Sequence, residues 1–392
     1  MAFERVSSLF NDNFSLTFKK IMNMNWLTNK LKFTLDPNVF RFRKKQATVL
    51  GIDITTTVVK LLELSKRGNN YKVESYMVTP LPRDAVVDRH LANVAVISEA
   101  IKKAVERSGT RLKQAAVAVG GSSVITKLIT LPADLTDDEM VEQIIIEAEQ
   151  YIPYGIDEVN FDFEIECLNE MDSSRVNVLL AASRKENVDD RVLALSLAGL
   201  KAKIVDIEAF AIENAFTLLA NQLPYSTENK TIVVIEIGAS LTTLHVLYNG
   251  RAIYTREQNF GGKQLTEDIQ RTYGLTYEEA GISKKVGGLP DNYETYVLEP
   301  FKRSMVQQIQ RGIQFFVAST ASRPIDSVII AGGCASILGV DQLVSQALGV
   351  PTYIANPFVN MELSSRVNPN NLGKDAPAML VACGLALRSF DE

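Results

Sequence analysis

Two stretches of this chain follow one plan, and that repetition limits the fold more than any other feature. "VLGIDITTTVVKLLEL" and "VVIEIGASLTTLHVLY" each run from an apolar strand to an acid, through a turn of Gly, Ser or Thr, into a second apolar strand. The two acids, Asp53 and Glu236, lie 183 residues apart in a chain of 392. An internal repeat at close to half the length points to two related lobes. A chain this long also exceeds what one hydrophobic core usually organises. Facing lobes would bring both acid-and-hydroxyl turns to a single cleft.

The rest of the pattern alternates strands with helices, which is the signature of α/β layers. "VAVISEAIKKAVERSG" has helical spacing and ends at Gly109, a C-cap residue. "LTDDEMVEQIIIEAEQYI" reads as a helix capped by Thr136 with acids in its first turn. "EVNFDFEIECL" and "RVNVLLAAS" alternate like partner strands, and Asn249–Gly250 marks a hairpin turn. Further helices are expected around 263–273 and 294–320, and a helix start near Ser336. The polar, proline-containing stretch 221–230 reads as the linker between the halves.

A strand that ends in a carboxylate and enters a hydroxyl-rich turn suits a specific chemistry. Backbone N–H groups and hydroxyls bind phosphate oxygens, as anion-binding nests do. A carboxylate suits a hydrated Mg²⁺, a hard cation that keeps several waters. Two opposed turns would hold a polyphosphate and its metal between them. "IIAGGCASILGV" adds a buried strand that empties into Gly332–Gly333, where glycine lets backbone approach a ring or sugar closely.

Other chemistries are excluded or unsupported. Lys and Arg total 41 against 46 Asp and Glu, for a net charge of -5. Residues 1–46 hold nine basic and three acidic side chains, so the body is the more acidic part. That balance opposes nucleic-acid binding. Three distant cysteines, Cys167, Cys334 and Cys383, argue for a reducing compartment rather than a disulfide scaffold. The chain contains no apolar run of the roughly 20 residues that cross a bilayer, no secretory signal pattern and no G-x-x-x-x-G-K-[ST] loop. It is therefore expected to be cytoplasmic. Of the two histidines, His245 sits at strand spacing and reads as a packed residue, and no zinc or Ser-His-Asp set assembles. In the first 46 residues, Phe3, Val6, Phe10, Phe14, Phe18 and Ile21 form one apolar stripe beside many lysines. They are read either as a helix resting on an acidic membrane surface, as a weakly ordered leader, or as the product of a start codon upstream of Met22 or Met24.

These motifs resemble the actin, Hsp70 and sugar-kinase superfamily, and more closely its FtsA-like branch. "GIDITTTVVK" resembles the first phosphate loop, "IEIGASLTT" the second, and "IIAGGCASILG" the adenosine loop. "IVDIEAFAIENAF" and "APAMLVACGLALR" resemble the two connecting helices. The chain is similar to the PilM family, cytoplasmic actin-like proteins of type IV pilus assembly. "EAEQYIPYGIDEVNFDFE", "VLLAASRKENVDDRVLALSLAGLKAKIVDIEAF" and "REQNFGGKQLTEDIQRTYGLTYEEAG" carry that similarity. It implies a two-lobed actin-like ATPase fold of duplicated ribonuclease-H-like domains. The first lobe spans 47–230, with a 1C subdomain of the FtsA type at about 124–199 and no subdomain 1B. The second lobe spans 231–374 with subdomain 2B at about 261–324, and a C-terminal helix at 375–392 returns to the interface.

The resemblance also implies roles. ATP and Mg²⁺ are the expected cofactors, with Asp53 and Glu236 holding the metal through water and Thr55, Thr56 and Thr57 lining the phosphates. Lys60 reads equally as a phosphate neighbour or a solvated lysine. Gly238, Ser240 and Thr242 would form the opposing turn. Gly262, Lys284, Gly332, Gly333 and Ser336 would face the ribose and base. Glu208 stands where relatives orient an attacking water, but two departures from the family pattern, at Glu236 and Gly281, imply that hydrolysis is slow at most. Glu236 replaces the usual Asp, and Gly281 the usual Glu. Asp53→Ala is expected to leave the fold intact. The implied partner is the cytoplasmic N-terminal segment of PilN, docked between subdomains 1A and 1C, with PilO, PilP and the pilus motor ATPases reached indirectly. Self-association stays open. The alternatives are a small-molecule kinase of the same superfamily and a filament-forming FtsA-like protein.

Overall fold

The computed structural model describes residues 48–121, 124–169, 172–319 and 323–391, so the Phe-rich stripe at 3–21 lies outside the described residues. The first half opens with β1 (Leu50–Ile54), β2 (Val58–Arg67), β3 (Asn70–Pro80), α1 (Val94–Ser108) and β4 (Gln114–Val119). An excursion follows: β5 (Val124–Pro132), α2 (Asp137–Tyr151), β6 (Val159–Leu168) and β7 (Arg175–Arg184). The chain then returns through α3 (Lys185–Leu197), β8 (Lys201–Ile207) and α4 (Glu208–Ala220). The second half runs β9 (Thr231–Ile237), β10 (Thr242–Tyr248), β11 (Arg251–Gln258), α5 (Gly262–Tyr273), α6 (Tyr277–Val286), α7 (Glu299–Ser319) and β12 (Ser327–Ala331). It finishes with α8 (Val340–Leu348), β13 (Thr352–Ile354), β14 (Glu362–Leu363), α9 (Pro369–Asp375) and α10 (Leu380–Leu387).

The internal repeat is visible in the sheets. One sheet has the order β14-β3-β2-β1-β4-β8 and the other β11-β10-β9-β12-β13. In each, a three-stranded antiparallel meander continues into parallel strands on the side of its first strand. Asp53 pairs with Lys60 across β1 and β2, and Glu236 pairs with Thr243 across β9 and β10. The 183-residue offset between the acids thus carries over to their cross-strand partners. The third sheet, β5-β7-β6, belongs to the excursion. It packs Ile129, Leu131, Val178 and Leu180 against Met140, Ile144 and Ala148 of α2.

Local rules explain most boundaries. Gly109 takes the left-handed conformation (φ 66°) that closes α1 without a Cβ penalty. Thr136 and Glu139 satisfy each other's backbone donors in a capping box at the start of α2. Asn249 and Gly250 both have positive φ, as a tight hairpin turn requires. Two elements differ from the expectation. No helix starts at Ser336; a 3-10 turn covers Gly333–Ser336, and α8 begins only after Gly339 turns left-handed at φ 76°. The expected helix from 294 enters through a π turn at Glu294–Leu298 and continues as α7 to Ser319.

A single apolar cluster lies between the two large sheets. It joins Leu62 and Ala116 of the first sheet, Ile232, Val234 and Ile329 of the second, and the facing sides of α4 and α10. Every residue from Leu380 to Leu387 is buried, which is why α10 is apolar all round. Gly384 sits directly on Ala211 of α4, where a Cβ would overlap the Ala211 carbonyl. Gly51 meets Ala382 and Ala386 in the same way from β1. These close approaches seat α10 on α4 and on the first large sheet.

Candidate functional site at the lobe junction

Both repeated turns are built identically. Thr55 N donates to Val58 O at 3.0 Å, and Gly238 N donates to Leu241 O at 2.9 Å, so each turn closes over two residues. Thr55 spends its own hydroxyl inside the turn, donating to Val58 O at 2.9 Å and accepting from Val58 N at 3.1 Å. Thr56 is therefore the threonine that faces across. Its Oγ1 lies 3.5 Å from Ser240 Oγ of the opposite lobe, close enough to share a hydrogen bond. Asp53, Thr55, Thr56, Glu208, Glu236, Gly238 and Ser240 line one cleft.

The acids are not free in that cleft. Asp53 lies in β1 rather than in the turn and is 5% exposed, with its Oδ2 2.8 Å from Lys60 Nζ. Lys60 is equally buried, which removes the reading of it as a solvated lysine. Burial alone would lower the Lys60 pKa, but Asp53 and then Glu236 outweigh it and raise it. Glu236 is held above the usual carboxylate range, near 7, chiefly by burial. Lys60 and Arg89 pull the other way, while Asp53 and Glu208 add repulsion. With Asp53 taken by Lys60 and Glu208 by Arg89, no ion pair reaches Glu236 among the described residues.

A second group of the residues singled out above gathers around Gly238. Gly262 N donates to Gly238 O at 3.0 Å and Lys263 N to Ala239 O at 2.7 Å, so α5 starts on the second turn. A Cβ at Gly261 would overlap Ala239, which accounts for the glycine pair in "FGGK". Lys284 Nζ donates to Gly262 O at 2.9 Å and to Thr266 Oγ1 at 2.7 Å, and its burial lowers its pKa. Gly332 has φ 85° and rests on Ile237, where any side chain would collide with backbone. Cys334 Sγ is 3.6 Å from Gly238 O.

Three residues stand elsewhere. Thr242 is 2% exposed and donates to Phe260 O at 2.9 Å, so it braces the start of α5. Strand alternation gives the cleft-facing place to its neighbour Thr243 instead. Thr57 is exposed and outside the cleft lining. Ser336 is exposed and donates to Gly333 O. His245, 1% exposed, lies in β10 with Nδ1 3.3 Å from Thr255 Oγ1, and burial pushes its pKa down to about 3.

Sequence reasoning missed Arg89 and Arg191, both of which line the cleft. Arg89 Nη1 reaches both Glu208 oxygens, and its Nη2 meets Glu257 and lies 3.1 Å from Thr243 Oγ1. Burial opposes its charge, but Glu208, Glu257 and Glu236 together raise its pKa. Arg191 is 3% exposed and donates to three backbone carbonyls: Ala118, Asn187 and Arg89. "DRH" and "DDR" carry no motif. The one available signal was Gly120–Gly121 at the end of β4, where a Cβ would collide with Glu208 at the first position and with Arg89 and Glu257 at the second.

Among the described residues, no three His, Cys, Asp or Glu side chains converge as direct metal ligands. No helix there is long and apolar enough to cross a membrane. Two opposed turns, with Arg89 and Arg191 lining the cleft and the buried Lys60 beside Asp53, fit a phosphate chain. The Cβ positions at Gly332 and Gly262 are filled by the Ile237 backbone and by Cys334 Sγ, so these glycines let the second lobe's own chain pack closely around Gly238.

Comparison with known proteins agrees with this architecture. The chain is similar to a solved "PilM-PilN type IV pilus biogenesis complex" at 28% identity, over 88% of this chain and 100% of that one, with a TM-score of 0.74. It shares its fold with ethanolamine utilization protein EutJ from Carboxydothermus hydrogenoformans. That match has 15% identity, covers 98% of each chain and has a TM-score of 0.52. The family model described as type IV pilus assembly protein PilM matches residues 51–390. With nearly all of the described chain inside that match, the protein belongs to the PilM family of type IV pilus assembly proteins, built on a two-lobed actin-like fold.

Proposed function

We propose that this chain is an ATP-binding scaffold of the type IV pilus inner-membrane platform, and that it binds the cytoplasmic N-terminal segment of PilN. The observation that carries the nucleotide part is the meeting of two equivalent turns at Thr56 and Ser240. A phosphate chain has the backbone of both turns, Thr56, Ser240 and the Lys60 ammonium as its partners. Mg²⁺ would be held through water by Asp53 and Glu236, where it neutralises phosphate charge. Gly262, Lys284, Gly332 and Gly333 belong to the wall for the nucleoside. Glu208 stays a candidate for orienting water, although Arg89 now occupies its carboxylate.

Family membership supports the pilus role, and the similarity to a chain solved with PilN supports the choice of partner. The excursion carrying β5, β6, β7 and α2 corresponds to the 1C subdomain in this reading, and PilN would lie between it and the first large sheet. Docking there would place the protein at the cytoplasmic face of the inner membrane, with PilO, PilP and the motor ATPases as indirect neighbours.

Thermal unfolding with and without Mg-ATP tests the site, because only the folded cleft assembles both turns. A ligand at 100 times its dissociation constant adds about 2.7 kcal/mol, worth roughly 3–4 °C in a chain of this size. Absence of any shift at millimolar Mg-ATP contradicts the assignment.

A further inference from the structure

We propose that residues 82–93 form a clasp across the cleft, in which Arg89 ties Glu208 of the first lobe to Glu257 and Thr243 of the second, and that the phosphate chain of a bound nucleotide competes with Glu257 for Arg89. The competition rests on the nucleotide reading above; the clasp does not. Both ends of the segment are anchored in the first lobe. Leu81 N donates to Thr57 O at 2.8 Å, and Asn93 caps α1 by accepting from Val96 N at 3.1 Å. Between these anchors the segment touches the second lobe twice. Arg83 lies over the Tyr277 ring of α6 at 4.3 Å, and Arg89 meets β10 and β11 through Thr243 and Glu257.

The backbone is bent to make this reach. Asp84, Asp88 and Arg89 all have positive φ, at 60°, 47° and 67°. Non-glycine residues hold such conformations only where surrounding contacts impose them, and these sites cluster at functional positions. Here the contacts are visible. Val87 and His90 form a two-residue bridge, and the buried Arg191 donates to Arg89 O at 3.2 Å. A turn held this firmly aims one guanidinium.

That guanidinium has a donor to spare. Among the described residues, Arg89 Nε is buried with no hydrogen-bond partner, while Nη1 and Nη2 serve the carboxylates. Its fork matches the geometry of phosphate as well as carboxylate. Glu257 is the partner most readily given up, because its side chain is 23% exposed against 14% for Glu208. A nucleotide that draws Arg89 inward would release the second lobe from the clasp and hold it through the phosphates instead. Nucleotide binding would then be coupled to lobe position through one residue.

The test pairs spin labels at Lys102→Cys of α1 and Lys285→Cys of α6 in the full-length chain. Interlobe distances and Mg-ATP affinity are then measured for the unaltered clasp, Glu257→Gln and Arg89→Gln. Without nucleotide, a single narrow distance is expected for the parent and a broader distribution for both variants. Glu257→Gln should bind Mg-ATP roughly fivefold more tightly and Arg89→Gln roughly tenfold more weakly. Should Arg89→Gln fold poorly with Glu208 left uncompensated, Glu257→Gln still decides the matter. Unchanged distances in a folded variant overturn the clasp. A tightly distributed parent that binds no nucleotide overturns the ATP reading alone, and equal ATP affinity of parent and Glu257→Gln overturns the competition.

Discussion

Glu236→Gln isolates the least compensated charge in the cleft. In the folded chain its carboxyl is raised from 4.5 to about 7, with burial as the main cause. A raised acid pKa means that the folded state binds the proton more tightly than the unfolded chain does. That contribution is fully present below about pH 4.5 and is lost as pH rises through about 7. The difference of about 2.5 units, at 1.36 kcal/mol each, makes ionised Glu236 cost at most roughly 3 kcal/mol at pH 8. The cleft admits some water, so the measured figure should fall at or below that. Glu236→Gln removes the charge and keeps the shape. It should match the parent at pH 4.5 and exceed it by roughly 2–3 kcal/mol at pH 8, a gain of about 3 °C. Denaturant unfolding of both proteins between pH 4.5 and 8.5 reads the difference directly. A stability gap that does not change with pH would refute the reasoning.

Asp53→Ala strands a buried ammonium and should cost about 3–5 kcal/mol, whereas Asp53→Ala with Lys60→Met should recover most of it; chemical denaturation of the three proteins checks this. This reverses the expectation that Asp53 is dispensable to the fold. Gly384→Ala forces α10 away from Ala211 and should destabilise by roughly 1–3 kcal/mol or more, read as a drop in the unfolding midpoint. Thr136→Ala removes half of a capping box and should cost about 1 kcal/mol, with α2 losing amide-exchange protection before the large sheets do.

Much of the fold was legible because it is written in local chemistry. The repeat around Asp53 and Glu236 reported two lobes, and Gly109, Thr136 and Asn249–Gly250 marked their own turns. β3 and α6 passed unnoticed for a physical reason. β3 mixes polar and apolar residues along its length, and Ala280 is the one residue of α6 buried in the structure, so neither shows a clear period. In the site, residues tied to a repeated turn were readable, as Thr56 and Ser240 illustrate. Thr242 and Thr243 were not separable, since a one-residue shift in a strand exchanges the faces. Arg89 was invisible for a different reason: its partners lie 119, 154 and 168 positions away in sequence, and only the closed fold brings Glu208, Thr243 and Glu257 to it.

In the proposed function, a nucleotide-binding actin-like body receives a tail of PilN. Calorimetric titration of the full-length chain with a synthetic peptide of the PilN cytoplasmic N-terminus, with and without Mg-ATP, tests it most directly. One saturable site per chain is predicted, with no heat from a scrambled peptide and an affinity that changes when Mg-ATP is present. Absence of binding, or equal binding of the scrambled peptide, would contradict it.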